Sequence, residues 1–120
     1  MPIVSRTWSF NPLVVSGAPD EPGVYALFED DEVVYYGCAV HGSTIQSALS
    51  EILTRVREGQ GGCLQRVTRY SWEITPRPRL REAELLREFE QAHLHPPRCN
   101  RAPTAQSDPA VVAGERRRSS

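Results

Sequence analysis

The sequence predicts one α/β domain of the α+β kind, with the order β-β-α-β-α and a three-stranded antiparallel sheet flanked by helices. Three observations carry that expectation. Two β-branched and aromatic runs are separated by a short acidic turn, a capped segment repeats its apolar residues at helical spacing, and a period-2 run precedes a second helical segment. With 120 residues, the chain has room for one hydrophobic core rather than two. Its 39% hydrophobic content argues against wholesale disorder.

Residues 1–22 read as an N-terminal extension that begins irregularly and ends in the turn formers Ser16-Gly17-Ala18-Pro19-Asp20-Glu21-Pro22. From Gly23 to Glu29, the run Val24-Tyr25-Ala26-Leu27-Phe28 predicts a buried strand. Glu29-Asp30-Asp31-Glu32 breaks it, and Val33-Val34-Tyr35-Tyr36 predicts a second strand closing at Gly37. Ser43-Thr44-Ile45-Gln46 has the form of a capping box, in which Ser43 and Gln46 satisfy each other's backbone donors. Ile45, Ala48, Leu49, Ile52, Leu53 and Val56 then mark a half-buried helix over 44–58, stopped by Gly59 and Gly61-Gly62. Thr68, Tyr70, Trp72 and Ile74 alternate with polar partners, which predicts a strand whose first set faces the core. Pro76 and Pro78 end it. A last helix is expected from about Leu80 to Ala92, with Leu80, Ala83, Leu86 and Phe89 inward and Leu85 and Ala92 beside them. Pro96-Pro97 forces the chain out of it. The domain is thus expected over 23–101, and 102–120 reads as a disordered tail.

Charge is divided along the chain. Residues 1–54 hold one Arg against seven acidic side chains, and 55–120 hold thirteen Arg against eight. An Arg-rich half suits an anionic partner, although a chain without any Lys also carries a compositional habit that explains the same counts. Three cysteines (Cys38, Cys63, Cys99) leave at least one unpaired and form no C-x-x-C, which argues for a reducing compartment. No apolar run approaches a membrane span and Met1–Val15 does not read as a secretory leader, so a soluble cytoplasmic protein is expected. Cys38, His41, Cys63, His93, His95 and Cys99 are numerous enough for a zinc site. They lack a matching pair of ligand motifs, and free cysteines and loop histidines explain them equally well.

A hairpin that opens Gly23-Val24-Tyr25 and closes Tyr35-Tyr36-Gly37 resembles the GIY-YIG nuclease superfamily. A helix, a strand, a helix bearing Glu88 and the loop Pro96-Pro97-Arg98-Cys99-Asn100 follow in the family's order, so the resemblance spans roughly residues 20 to 101. It implies phosphodiester hydrolysis on DNA with Mg²⁺ (or Mn²⁺) held by Glu88, Tyr25 helping to activate water, Tyr35 shaping the site, and Asn100 securing the terminal loop. Such cleavage needs an activated water and stabilised charge on the phosphorus oxygens, and one carboxylate plus waters is an acceptable hard-cation site. Gly37 would keep the strand end slim for the substrate backbone, and Gly23 would serve the turn. The same residues also have ordinary readings: strand tyrosines that pack the sheet, a solvated Glu88, glycines that only punctuate turns.

One part of the pattern is missing. The resemblance places an arginine early in the first helix and a histidine four residues on, and those places hold Ala48 and Ile52. Arginines at transferring phosphoryl groups contribute ~10³–10⁵ in rate. Arg55, Arg66, Arg69 and Arg57 are the candidates to substitute on the substrate. The expectation is therefore a nuclease-type domain that cleaves weakly or not at all. The alternatives are a non-catalytic module binding nucleic acid through Arg66, Arg69, Arg77, Arg79, Arg81 and Arg116-Arg117-Arg118, or a protein-interaction module.

Overall fold

The computed structural model describes residues 6–40 and 42–100. The elements are β1 (Trp8–Ser9), α1 (Pro12–Val15), β2 (Gly23–Glu29), β3 (Glu32–Ala39), α2 (Ile45–Arg57), a 3₁₀ turn (Gly62–Leu64), β4 (Arg69–Ile74) and α3 (Pro78–His93). They form an α+β domain around an antiparallel sheet of order β1-β4-β2-β3.

The sheet has four strands rather than the expected three, because part of the segment read as an irregular extension joins it. Trp8 and Ser9 pair with Tyr70 and Arg69. Trp8 also stacks on Trp72, at 5.4 Å between ring centroids and 12° between planes. A two-residue strand is too short for period-2 patterning to register, so side-chain stacking, not local propensity, fixes it. Next to it, Asn11 caps α1 by accepting from the Val14 amide at 2.9 Å, with Pro12 at the first helical position.

β2 is the central strand, and its alternation serves two faces. Tyr25 and Leu27 join Val15, Ile45, Leu49, Leu53, Val67 and Tyr70 under α1 and α2, while Val24, Ala26 and Phe28 join Tyr36 and Leu85 under α3. Burial on both faces is why β2 reads as a continuous apolar run. The hairpin register shifts between Leu27 and Phe28, which face Tyr35 and Val33, leaving Val34 as the extra residue of a bulge. Asp30 turns the hairpin at φ 56°, a conformation that Asp tolerates.

Three local expectations change. The helix cap is Thr44, not Ser43. Thr44 Oγ1 accepts from the Ser47 amide and Ser47 Oγ accepts from the Thr44 amide, both at 3.0 Å, while Gln46 reaches across to donate to the Ser16 carbonyl. In α3, Leu80 is 50% exposed and Ala83 and Ala92 face water, so the inward stripe is Glu82, Leu85, Leu86 and Phe89. Thr68, just before β4, and Ile74, at its end, are exposed while Ser71 is fully buried, because it lies opposite Ala26 on the sheet face that α3 covers.

Two of the cysteines are paired: Cys63 and Cys99 form a disulfide with 5.7 Å between Cα atoms. The tertiary fold brings a loop and a terminal segment together across 36 positions, which no local motif announces. This withdraws the thiol-based reason for a reducing compartment and removes both residues from the possible zinc set. Among the described residues, no helix is long and apolar enough to cross a membrane. The expected tail at 102–120, with Arg116-Arg117-Arg118, and His41 lie outside the described residues.

Candidate functional site

The antiparallel register of β2 and β3 sets Tyr25 opposite Gly37 and Leu27 opposite Tyr35. The two tyrosines therefore share a face and lie diagonal to each other, with ring centroids 6.3 Å apart. Gly37 does not leave room for a substrate, as the sequence suggested. A Cβ there would come within 2.5 Å of the Tyr25 phenol, so the space belongs to the Tyr25 ring. With that ring laid across Gly37, Tyr25 is only 6% exposed.

Behind Gly37 comes Cys38, whose side chain turns to the α3 face. Its thiol donates to Glu82 Oε1 at 3.4 Å, which ties the end of β3 to the first turns of α3. The charge of Glu82 also reaches Tyr35 and Tyr25. Glu88, the carboxylate expected in the site, is exposed, and its charge reaches Tyr36 and Arg81 instead. The reason is angular. Six helical positions separate the two glutamates, roughly 240° around the axis, so they cannot share a face. A sequence signal for Glu82 exists. It stands three and seven positions before Leu85 and Phe89, which makes it a carboxylate on the inward stripe of its helix.

The electrostatics of this corner are those of acids without enough positive charge. Burial, then the Coulomb field of Tyr35, Cys38, Glu82 and Glu51, pushes the Tyr25 phenol far above its ordinary value. Burial and Glu82 push Tyr35 the same way. Burial, with the charge and hydrogen bond of Glu82 behind it, pushes the Cys38 thiol up to about 11, too high for a reactive thiolate near neutral pH. Burial also raises Glu82 itself, opposed by the Cys38 hydrogen bond and by Arg79, the cation whose field reaches both Glu82 and Cys38. A phenol pushed up surrenders its proton less readily, the reverse of what water activation at neutral pH asks for.

Glu82 yields a pH-dependent expectation. Its folded value lies above the unfolded ~4.3, so its contribution is full below that value and is lost as the pH rises through the folded value. Glu82→Gln keeps the shape and an acceptor for Cys38 while removing the charge. The variant should melt a few degrees above the parent at pH 7 and level with it near pH 3. A difference that stays constant across that range would remove burial as the cause.

Other expected site residues lie apart or are engaged. Arg69 donates to Thr7, with Nε to Oγ1 at 2.7 Å and Nη2 to the carbonyl at 3.0 Å, and so fastens β1 rather than facing a substrate. Arg81 is held by Glu73 and Glu84. Arg55 is exposed and 3.8 Å from Glu51 on its own helix. Arg57, Arg66, Arg77 and Arg79 are exposed and make no ion pair among the described residues. Asn100 is structural: its Oδ1 accepts from the Tyr36 amide at 2.8 Å and its Nδ2 donates to the Tyr36 carbonyl at 3.0 Å. Gly23 is structural too, since a Cβ would strike the Glu73 carbonyl and Ile45. Ala48 and Ile52, where the resemblance wants an arginine and a histidine, pack against the apolar core that contains Tyr25.

Among the described residues, no three His, Cys, Asp or Glu side chains gather to hold a metal. A water-rich hard cation needs less, one carboxylate with waters in its remaining positions. Glu82 fits that need, because its half-buried charge is penalised and lies beside the tyrosines. Glu88 fits it poorly, facing away from them. Comparison with family models, curated proteins and solved structures finds no match.

Proposed function

We propose that this chain is a GIY-YIG-type domain related to Mg²⁺-dependent DNA endonucleases, whose phosphodiester cleavage is weak or lost and which serves to bind nucleic acid. The observation that carries the reading is the surroundings of the tyrosine pair. Tyr25 and Tyr35 stand together on the hairpin as such a site would have them, yet the neighbouring helix offers the apolar Ala48 and Ile52 where a phosphate needs a cation. Without that cation, charge developing on the phosphorus oxygens has no fixed partner from α2.

The carboxylate of the site is reassigned within this proposal. Glu82 rather than Glu88 would hold Mg²⁺ or Mn²⁺, and the bound ion would neutralise phosphate charge. The chain's own part is positional: Tyr35 and Tyr25 exclude water from the sheet end, and Arg79 supplies positive charge at the mouth of the Cys38–Glu82 pair. Exposed Arg77 and Arg79 at the start of α3, with Arg66 and Arg57 after α2, supply the backbone contacts.

Binding of labelled single-stranded and branched DNA, measured against salt, tests the proposal. Affinity should fall steeply as salt rises, since each phosphate contact releases a counterion. Arg79→Gln and Arg77→Gln should each weaken binding to all sequences alike and flatten the log–log slope by about one. Glu88→Ala should bind as the parent does. Affinity independent of salt, or absent for every nucleic acid tried, would sink the reading and favour a protein partner.

A further inference from the structure

We infer that the Cys63–Cys99 disulfide is a redox-operated latch, which holds residues 97–100 against the outer edge of β3 and frees them when a dithiol reduces it. The inference stands independently of the proposed function.

Among the described residues, the sheet order leaves β3 with one side unpaired by any strand. The terminal segment takes the place of a strand there. The Cys99 amide donates to the Val34 carbonyl at 2.8 Å, and the Asn100 side chain bonds both backbone groups of Tyr36. The Asn100 amide turns back to the Pro97 carbonyl at 2.9 Å, Pro97 is fully buried, and Arg98 pairs with Glu29 and Glu32 at the hairpin tip. This strap is a covering for an edge that would otherwise offer free N–H and C=O groups to another chain.

What holds the strap covalently is its link to Cys63 in the 3₁₀ turn after α2. That turn is shaped by Gln65, which donates to the Val56 carbonyl and accepts from the Gly61 amide, both at 2.7 Å. The two sulfurs differ in access, for Cys63 is exposed and Cys99 is 8% exposed. A thiolate of an external dithiol therefore attacks Cys63 Sγ, the S–S bond breaks, and Cys99 leaves as a thiolate that takes up a proton. The reagent's second thiol then displaces Cys63 as a thiol and closes the reagent's own disulfide. Two electrons pass from dithiol to protein. The fold has a place for the reduced form, since Cys99 Sγ lies 3.1 Å from the Cys63 carbonyl, an acceptor for the new S–H. Once the link is gone, the strap rests on part-buried hydrogen bonds, half-exposed ion pairs, the buried Pro97 and the Cys99 side chain at the margin of the core, and closing the intervening chain costs entropy again. Because β3 carries Tyr35 and Cys38, the latch also sets how firmly the candidate site is held.

Amide hydrogen exchange on the full chain, with and without dithiothreitol, tests the latch. Full reduction should accelerate exchange at Tyr36 and Cys99 about tenfold or more while the amides between β2 and β4 keep their protection. Asn100→Ala in the oxidised protein should accelerate Tyr36 with the disulfide intact. Unchanged exchange at Tyr36 after complete reduction would overturn the inference. So would uniform loss across the sheet, which makes the bond a staple of the whole fold, or three titratable thiols in the air-oxidised chain.

Discussion

Gly23→Ala is expected to cost about 3 kcal/mol or more of folding stability, at the upper end of what overpacking does. The added methyl would overlap the Glu73 carbonyl oxygen and stand 2.7 Å from Ile45 Cδ1 and 3.0 Å from Ile74 Cα. Two of those three obstacles are backbone of β4, so no rotamer change relieves them. Nor can β2 back away, because Gly23 pairs with Ile74 on one side and Ala39 on the other. Ile45 is the first residue of α2 and fully buried, so moving it shifts the helix that covers the tyrosine face. Gly17→Ala is the matched control, since its nearest obstacle is the Val14 carbonyl at an ordinary 3.5 Å. Denaturant unfolding of both variants beside the parent checks the contrast. A Gly23→Ala protein within 1 kcal/mol of the parent would mean that β4 does not approach β2 this closely.

The second large effect concerns chemistry. Ala48→Arg is expected to raise metal-dependent DNA cleavage by ~10³ or more over whatever the parent shows. Ala48 lies on the α2 face that packs against the core containing Tyr25, and it is only partly buried, so a long side chain there has a route to solvent. A guanidinium there would also draw the Tyr35 phenol back down, opposing the Glu82 field, and ultraviolet titration reads that shift without any substrate. Adding Glu82→Ala to the variant should silence it, whereas adding Glu88→Ala should not. If neither cleavage nor the phenol titration moves, Ala48 is not beside the tyrosine pair and the proposed function loses its main support.

Some of this was open to reading in the chain itself and some was not. The main elements announce themselves locally: two β-branched and aromatic runs for the hairpin, alternation for β4, the Ile45-Leu49-Leu53 stripe for α2, apolar residues at helical spacing for α3, and proline at the breaks. The hairpin was legible, but the juxtaposition of Tyr25 and Tyr35 was not: regular pairing across the turn would set Tyr36 opposite Tyr25, and the bulge at Val34 brings Tyr35 to that face instead. Glu88 was chosen for its spacing to Asn100, and spacing along a helix does not say which face a residue takes. That face is set by the sheet beneath, which turns Glu82 toward Cys38 and leaves Glu88 in solvent.

By itself the sequence determined the α+β class and the order of the main elements, because these depend on residues close in the chain whose side-chain periods are fixed by backbone geometry. The tertiary structure alone decided the fourth strand, the Cys63–Cys99 bond, the bulge that joins Tyr35 to Tyr25, the use of Gly37 by Tyr25, the engagement of Arg69 by Thr7 and the contact of Glu82 with Cys38. Each of these rests on groups 10 to 62 positions from their partners in sequence, where contact is set by how strands and helices pack and carries no local signal.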